Sequence, residues 1–316
     1  MKKICAVLVT YNRLKYLKKL LSSLEKMEYP LSGIFILNNN STDGTTDFLT
    51  REGFTDISKG ENTNNKYVFN SEQNLGGSGG FANAIKIAKN LDYDYLWIMD
   101  DDVLPEKDCL ARLVQMMDKT KVQVAIPSRN DEFYQDRICS KFDFASVKKY
   151  CPYSRKQTIS YPLTEDFYYV ADMPFEGPLV KVDLIKKVGI PNAGFFLEYD
   201  DSDYAQRLQE YSKIIYVTKA ILHRQLARKQ QTLNLKKNNK DLYTWRTYYT
   251  LRNDIIFERK YGKNWRVKEI SPRLLLVHKT IKSILDGYAK QNLPLLFKAY
   301  SDGMHNRMGK RIDPNY

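Results

Sequence analysis

Along the first two-thirds of the chain, short runs of apolar residues alternate with segments whose apolar positions recur every three or four residues, the pattern of an α/β domain. Ile4 to Val9 is short and uniformly apolar, which predicts a buried strand, and Leu14, Leu17, Leu20, Leu21 and Leu24 follow at helical spacing. Ile34 to Leu37 predicts a second strand, and the polar letters N-N-N-S-T-D-G-T at 38 to 45 predict a turn at Asp43 and Gly44. Tyr67 to Phe69 reads as a third strand, before a glycine-rich loop, Q-N-L-G-G-S-G-G-F at 73 to 81, that opens a helix to about Asn90. Tyr95 to Met99 is a fourth. Beyond Pro105 the alternation predicts a helix to about Met117 and strands at Val122 to Ile126 and Val170 to Phe175. Helices at Val182 to Val188 and Ser202 to Glu210 and a strand at Ile214 to Val217, ending near His223, complete it.

From about Gln225 the pattern changes to charged helices. Trp245, Tyr248, Tyr249, Leu251, Ile255 and Ile256 mark one amphipathic helix, and Leu274, Val277, Ile281, Ile284 and Leu285 another. The segment at 226 to 240 is polar enough to be a mobile loop or linker. Residues 130 to 170 hold many aromatics, among them Tyr150, Tyr153, Tyr161, Tyr168 and Tyr169, with little periodicity; lining an acceptor cleft and plain packing explain them equally.

Charge sharpens this division. The 316 residues carry a net charge of +13, but from Lys213 onward there are 23 Lys+Arg against 7 Asp+Glu, and before it 27 against 30. The basicity belongs to the C-terminal third, which points toward anionic lipid or an anionic acceptor and away from a nucleic-acid-binding protein. No stretch approaches the roughly 18 uncharged apolar residues that span a bilayer, and the apolar run after Met1 breaks at Tyr11, Asn12 and Arg13, so it reads as a strand and not a signal peptide. Four cysteines without C-x-x-C spacing predict a reduced, cytoplasmic protein with no cysteine-based metal site.

The strongest chemical signal is Y-L-W-I-M-D-D-D-V-L-P at 95 to 105, an apolar strand ending in Asp100, Asp101 and Asp102. Three adjacent carboxylates repel one another at the end of a buried strand unless a cation joins them, and their oxygens suit a hard divalent ion. A solvated acidic turn opening a helix at Pro105 accounts for the same letters. Four further segments fall near strand ends or in the loops that follow, where open α/β sheets bind ligands: T-Y-N-R at 10 to 13, N-N-N-S-T-D-G-T, N-L-G-G-S-G-G-F and F-F-L-E-Y-D-D-S-D-Y at 195 to 204. The glycine segment lacks the phosphate-loop lysine, and its place after the third strand does not suit a dinucleotide fingerprint.

In this order and spacing the segments resemble the family 2 glycosyltransferases, and within them the galactofuranosyltransferases and rhamnosyltransferases of bacterial surface polysaccharides. The resemblance covers residues 1 to about 225 and implies a GT-A fold, a mixed α/β sheet flanked by helices. It divides the chain into a nucleotide-sugar part to about 127, an acceptor and catalytic part from 128 to 225, and a basic helical region from 226 to 316. Carried over, Thr10, Tyr11, Asn12, Arg13, Asn38, Asp43, Asn74, Gly76, Gly77 and Asp101 hold the nucleotide sugar, with Gly79 and Gly80 easing the backbone's approach. Many relatives have an aspartate at the place of Asn38, which leaves the base less certain. Asp100 and Asp102, with His223 as third ligand, hold Mn²⁺ or Mg²⁺. Asp201 is the general base, flanked by Asp200, while Asp203 and Glu176 contact the acceptor, although a buried salt bridge explains Glu176 as well. Arg246 and Arg252 approach an acceptor diphosphate or pair with surface acids. The activity implied is inverting, metal-dependent transfer of a sugar, galactofuranose from UDP-galactofuranose first and rhamnose from dTDP-rhamnose next. The partner is a polyprenyl diphosphate-linked glycan at the inner membrane face, with no role for nucleic acid. The oligomeric state stays open.

Overall fold

The computed structural model describes residues 1–59, 64–227 and 242–314, so most of the linker expected at 226 to 240 lies outside the described residues. The chain begins with β1 (Ile4–Thr10), α1 (Leu14–Leu24), β2 (Gly33–Asn38), α2 (Thr45–Arg51), β3 (Thr55–Asp56) and β4 (Lys66–Asn70). It continues through α3 (Gly76–Ala88), β5 (Tyr95–Asp100), β6 (Val103–Pro105), α4 (Cys109–Thr120), β7 (Val124–Ser128), β8 (Cys139–Phe142), β9 (Lys156–Thr158) and β10 (Phe167–Val170). Then come β11 (Leu179–Lys181), α5 (Val182–Val188), α6 (Asp200–Leu208), β12 (Ile214–Arg224), α7 (Trp245–Tyr261), α8 (Ser271–Leu285) and α9 (Ala289–Met304).

Ten strands form one mixed sheet, in the order β10-β12-β7-β11-β5-β1-β2-β4-β3 with β6 paired to β12. β1 is uniformly apolar because it faces a core on both sides: Ile4, Ala6 and Leu8 pack with α1 and α4, and Cys5, Val7 and Val9 with α3, α5 and α6. β5, β1, β2 and β4 run parallel, and their register brings Asp100, Thr10, Asn38 and Asn70 to one edge. That edge is where four of the five polar segments converge.

Several elements differ from the sequence pattern for identifiable reasons. The glycines at 76 to 80 are not a loop but the opening turns of α3, and they serve packing: a Cβ on Gly76 would lie 2.5 Å from the Phe196 carbonyl, and one on Gly80 would lie 2.8 Å from Val9. Pro105 closes the short strand β6, and the next helix starts at Cys109. The strand expected at Val170 to Phe175 lies at Phe167–Val170, where Phe167, Tyr168 and Tyr169 pair with β12. β12 runs on to Arg224 because β6 supplies a partner for its far end, which puts His223 inside a strand. Helix α9 was hidden by Pro294, which sits within it.

Helix α7 starts at a capping box made by Thr244 and Thr247. It is buried on more than its apolar side: besides Tyr248, Tyr249, Leu251 and Ile255, the polar Arg252, Asn253, Asp254 and Glu258 are at most 1% exposed. Phe196, from the turn before α6, packs among Tyr248, Tyr249, Leu275 and Leu296, so the C-terminal helices share a core with the segment that leads into α6. Helix α8 does the reverse, leaving Leu274, Val277, Ile281, Ile284 and Leu285 exposed. No helix among the described residues is long and apolar enough to cross a membrane.

Candidate active site

At the carboxyl edge of β5 the three aspartates have different surroundings. Asp101 is buried and accepts hydrogen bonds from Thr10 Oγ1 at 2.6 Å and an Arg13 guanidinium nitrogen at 3.2 Å. Burial still lifts it to about 6, against the pull of Arg13 and Thr10. The same Arg13 nitrogen reaches Asp102 at 2.8 Å. Asp100 carries no hydrogen bond or ion pair among the described residues, and burial together with the charges of Asp102, Glu176 and Asp101 raises it well above the usual carboxylate range. Glu176 lies between Arg224 at 2.9 Å and Arg129 at 3.3 Å, and Arg129 also holds Asp136 at 2.6 Å.

Arg129 leads into a cavity of about 460 Å³. Tyr134, Arg137, Cys139, Phe142 and Lys156 are among its lining residues, whereas Tyr150, Tyr161, Tyr168 and Tyr169 are not. Asp172, Glu198, Asp201 and Asp254 bring acids to the same cavity. Asp201, in the first turn of α6, is raised well above its usual range by burial and by the charges of Asp172 and Asp200, with Lys156 opposing. Lys156 is ion-paired to Asp172, whose other oxygen accepts from Ser202 Oγ at 2.7 Å. Asp200 is pushed to about 6 by burial, opposed by the backbone amides at the start of α6 and by Ser78.

The turn that aims α6 is strained. Phe196, Glu198 and Tyr199 all have left-handed backbone conformations, at φ of 65°, 63° and 69°, which bulky L-residues rarely adopt. Helix α7 holds it: Asn253 Nδ2 donates to the carbonyls of Phe195, Leu197 and Glu198 at 3.0, 2.6 and 3.0 Å, and Arg252 to those of Phe195 and Gly194 at 2.7 and 3.3 Å.

Residues 5–173 match the family described as Glycosyl transferase family 2. The chain belongs to the family 2 glycosyltransferases. Over 206 residues it is 24% identical to galactofuranosyltransferase GlfT1 of Mycolicibacterium smegmatis, a match that spans 65% of each chain. Its fold is similar to that of S. aureus TarS residues 1–349 in complex with UDP-GlcNAc, with a TM-score of 0.54, 14% identity, and coverage of 96% of this chain and 81% of that one. Mannosyltransferase PcManGT from Pyrobaculum calidifontis, in complex with GDP-Man and Mn²⁺, gives a TM-score of 0.51 at 13% identity, covering 97% and 88%. The fold is thus the GT-A fold expected for this glycosyltransferase.

Several residues expected to touch ligand in the glycosyltransferase are engaged within the protein. Asn38 is buried, donating to Thr46 and Asn70 at 2.9 Å each and accepting from the Ser41 amide at 3.2 Å. Asp43 accepts from the amide of Leu14 at 2.9 Å and the hydroxyl of Thr45 at 2.5 Å, pinning the starts of α1 and α2. Asn74 accepts from the Gly76 amide at 2.9 Å at the start of α3, while Gly77 is close to Leu197. Asn12, at φ 51°, accepts from the Thr42 amide at 2.7 Å, so it and the neighbouring Tyr11 sit where the first and second loops are stitched together. Asp203 is bound by Arg207, Lys260 and Tyr261 and ties α6 to α7, a structural role in place of the expected contact with an acceptor. Arg252 is likewise a brace and not a phosphate ligand, while Arg246 stacks on Trp245. Glu176 takes the salt-bridge alternative. Sequence reasoning missed Arg129, Lys156, Asp172 and Asp254; only the paired acids Asp254 and Glu258, one turn apart among apolar neighbours, left a readable trace.

His223 does not join the aspartates as expected: its ring nitrogens face Glu106 at 3.0 Å and Asp131 at 3.4 Å, because β6 pairing fixes its side of the strand. Among the described residues no group of three or more His, Cys, Asp or Glu side chains is arranged to hold a metal ion. Asp100 and Asp102 nonetheless fit a divalent cation, because they are hard oxygen donors with more negative charge than Arg13 offsets. Such ions are commonly held by one or two carboxylates, with substrate phosphates and water filling the remaining positions.

Two outcomes are expected. Asn253→Ala should cost about 2–4 kcal/mol in urea unfolding, since it leaves buried carbonyls of a strained turn unpaired. Asp100→Asn should raise the melting temperature of the metal-free protein by roughly 2–4 °C at neutral pH. The sign follows from linkage: a carboxyl whose pKa is raised in the fold adds stability below its unfolded pKa and loses it as pH rises through the folded one. The gain should therefore vanish in acid.

Proposed function

We propose that this glycosyltransferase is an inverting, metal-dependent enzyme that moves galactofuranose from UDP-galactofuranose to a hydroxyl of a lipid-linked glycan. The observation that carries the reading is Asp201: a carboxylate at the start of α6 that lines the same cavity as Arg129, whose partner Glu176 bears on the charge of Asp100. The donor choice is supported by the name of the Mycolicibacterium smegmatis relative and by the resemblance of the sequence motifs. Rhamnose from dTDP-rhamnose is the alternative donor that the same motifs allow.

In this mechanism Asp201 accepts the proton of the attacking hydroxyl. The hydroxyl oxygen forms its bond to the anomeric carbon as the bond to the nucleotide diphosphate breaks, and the diphosphate leaves with that electron pair. A single displacement inverts the carbon. Burial suits Asp201 to the task, because a raised pKa makes a stronger base near neutral pH. Arg13 is the residue beside the aspartate edge able to steady a diphosphate. A divalent ion held by Asp100 and Asp102 would offset charge on the departing diphosphate.

The membrane surface enters through α8. Val277, Ile281 and Ile284 are each more than half exposed and Leu285 is 78% exposed, with Arg273 and Lys282 on the same helix. An amphipathic helix with this apolar face and basic flanks suits an anionic bilayer surface.

Asp201→Asn should lower the rate of nucleotide diphosphate release in the presence of acceptor and Mn²⁺ by about 10²–10⁴-fold. In the parent, activity should fall as pH drops through the raised pKa of Asp201, since only the ionised form takes the proton. An Asp201→Asn enzyme that turns over like the parent sinks the mechanism. For the membrane, flotation with anionic liposomes should carry the protein at low salt, release it at high salt, and fail for an Ile281→Glu, Ile284→Glu variant. Protein remaining in the soluble fraction at low salt counts against docking.

A further inference from the structure

The cavity that holds Asp201 is bordered by a side chain the mechanism does not use. Glu198, three residues before Asp201 in the strained turn, lines the cavity and is also an exposed residue, so it stands at the rim, within reach of solvent and of a molecule in the cavity. The other acids of the lining are less exposed. Two of them are already engaged within the protein, Asp172 by Lys156 and Ser202 and Asp254 by Tyr199.

Exposed glutamates usually swing among rotamers, and this one is pinned at both ends. Its backbone is left-handed at φ 63°, and its carbonyl accepts from Asn253 Nδ2 at 3.0 Å. Its Oε2 accepts the hydroxyl hydrogen of Thr250, on α7, at 2.7 Å. Among the described residues Oε1 makes no hydrogen bond or ion pair: Arg246, one turn before Thr250, lies instead over the Trp245 ring at 4.7 Å. Gripping a ligand ordinarily costs a long side chain its rotamer freedom. Here the fold has fixed the carboxylate beforehand, which lowers the cost of binding. Tyr199, the next residue, lines the same cavity, and its ring lies 5.3 Å from that of Phe257, another lining residue. A fixed carboxylate oxygen beside aromatic surface suits a polyol, with the oxygen for a hydroxyl and the rings for C–H faces.

We infer that Glu198 is a specificity-determining residue for the acceptor: Oε1 takes a hydrogen bond from one hydroxyl of the acceptor sugar at the rim of the cavity. The word acceptor rests on the transferase reading, whereas the contact itself is a claim about glycoside binding. Glu198 belongs to the turn that leads into Asp201, so the residue that selects the sugar and the proposed base are three positions apart on one braced segment.

The test measures binding of methyl glycosides and their monodeoxy analogues by saturation-transfer NMR with UDP and Mg²⁺ present, in the parent and two variants. In Glu198→Gln the amide oxygen stays with the Thr250 hydroxyl and the amide nitrogen takes the place of Oε1, so an acceptor becomes a donor. The expected result is that at least one glycoside binds the parent and that deleting one of its hydroxyls weakens binding about tenfold. The same deletion should change binding to Glu198→Gln by less than about twofold, because the partner of that hydroxyl is gone. Thr250→Val, which unpins the carboxylate but keeps it, should show an intermediate effect of the deletion and serves as the second variant if Glu198→Gln does not fold. Hydroxyl deletions that cost the parent and both variants equally overturn the inference, as does a parent that binds none of the panel. Sugar transfer is scored separately. If the parent turns over no nucleotide sugar, the transferase reading fails and glycoside binding still decides the contact; if Asp201→Asn abolishes transfer while the Glu198 and Thr250 variants bind every glycoside as the parent does, the reading stands and the contact falls.

Discussion

The candidate site depends on Asn253 and Arg252 gripping the carbonyls of residues 194 to 198. Three left-handed, non-glycine residues in one short turn are unfavourable by about 1–3 kcal/mol each, and nothing in the sequence of the turn offsets that. The compensation comes from α7, whose polar side chains replace the hydrogen bonds that a regular backbone would make for itself. With the turn fixed, Phe196 inserts among the tyrosines of α7, its carbonyl meets the Ser78 amide at the start of α3, and Asp200 and Asp201 open α6 at the cavity. The glycine at 76 belongs to the same constraint, because only a residue without a Cβ lets α3 approach the Phe196 carbonyl.

A second tension runs along the sheet edge. Asp100, Asp101 and Asp102 are all pushed upward by burial, and Arg13 is shared between two of them. Such a cluster is poor for stability and good for holding a cation, the usual trade at a functional site. Asp101 resolves part of the tension by becoming structural, tied to Thr10 and Arg13. Among the described residues Asp100 is left without such a partner, and its charged form is disfavoured. The difference between two neighbours in one D-D-D run is a matter of position: Asp100 closes β5, while Asp101 lies in the turn after it, where Thr10 and Arg13 reach it.

The parallel strands were legible in the sequence, because a short uniformly apolar run has one good solution, a strand between two layers of helices. The place of the aspartates at the end of β5, the acidic start of α6 and the membership of the family followed from local letters in a fixed order. What the letters leave open has one cause. Polar residues at strand and helix ends, such as Asn38, Asp43, Asn74 and Asp203, suit ligands and caps alike, and only the positions of Ser41, Thr45, Gly76 and Lys260 reveal the bonds they make within the protein. His223 was misplaced for want of β6, three residues too short to show a period. The stripe on α8 was read correctly as apolar, yet periodicity does not say whether a stripe faces core or solvent.

The C-terminal helices bear most on how the site is put together. Read by charge alone they form a basic appendix, but Arg252, Asn253, Asp254 and Glu258 are as buried as any core leucine. Helix α8 has two environments at once: Leu275 enters the core, and Lys279 bears on Asp254 from the other side of the same helix that exposes Ile281 and Leu285. On the reading proposed above, the surface that meets the bilayer is therefore carried by the same packed unit that braces the active-site turn, since Leu275 of α8 packs with Tyr248, Tyr249 and Phe196. Burying the bracing residues in α7 then has a second consequence: the turn that aims Asp201 is referenced to the same unit, so the proposed base and docking face share one core.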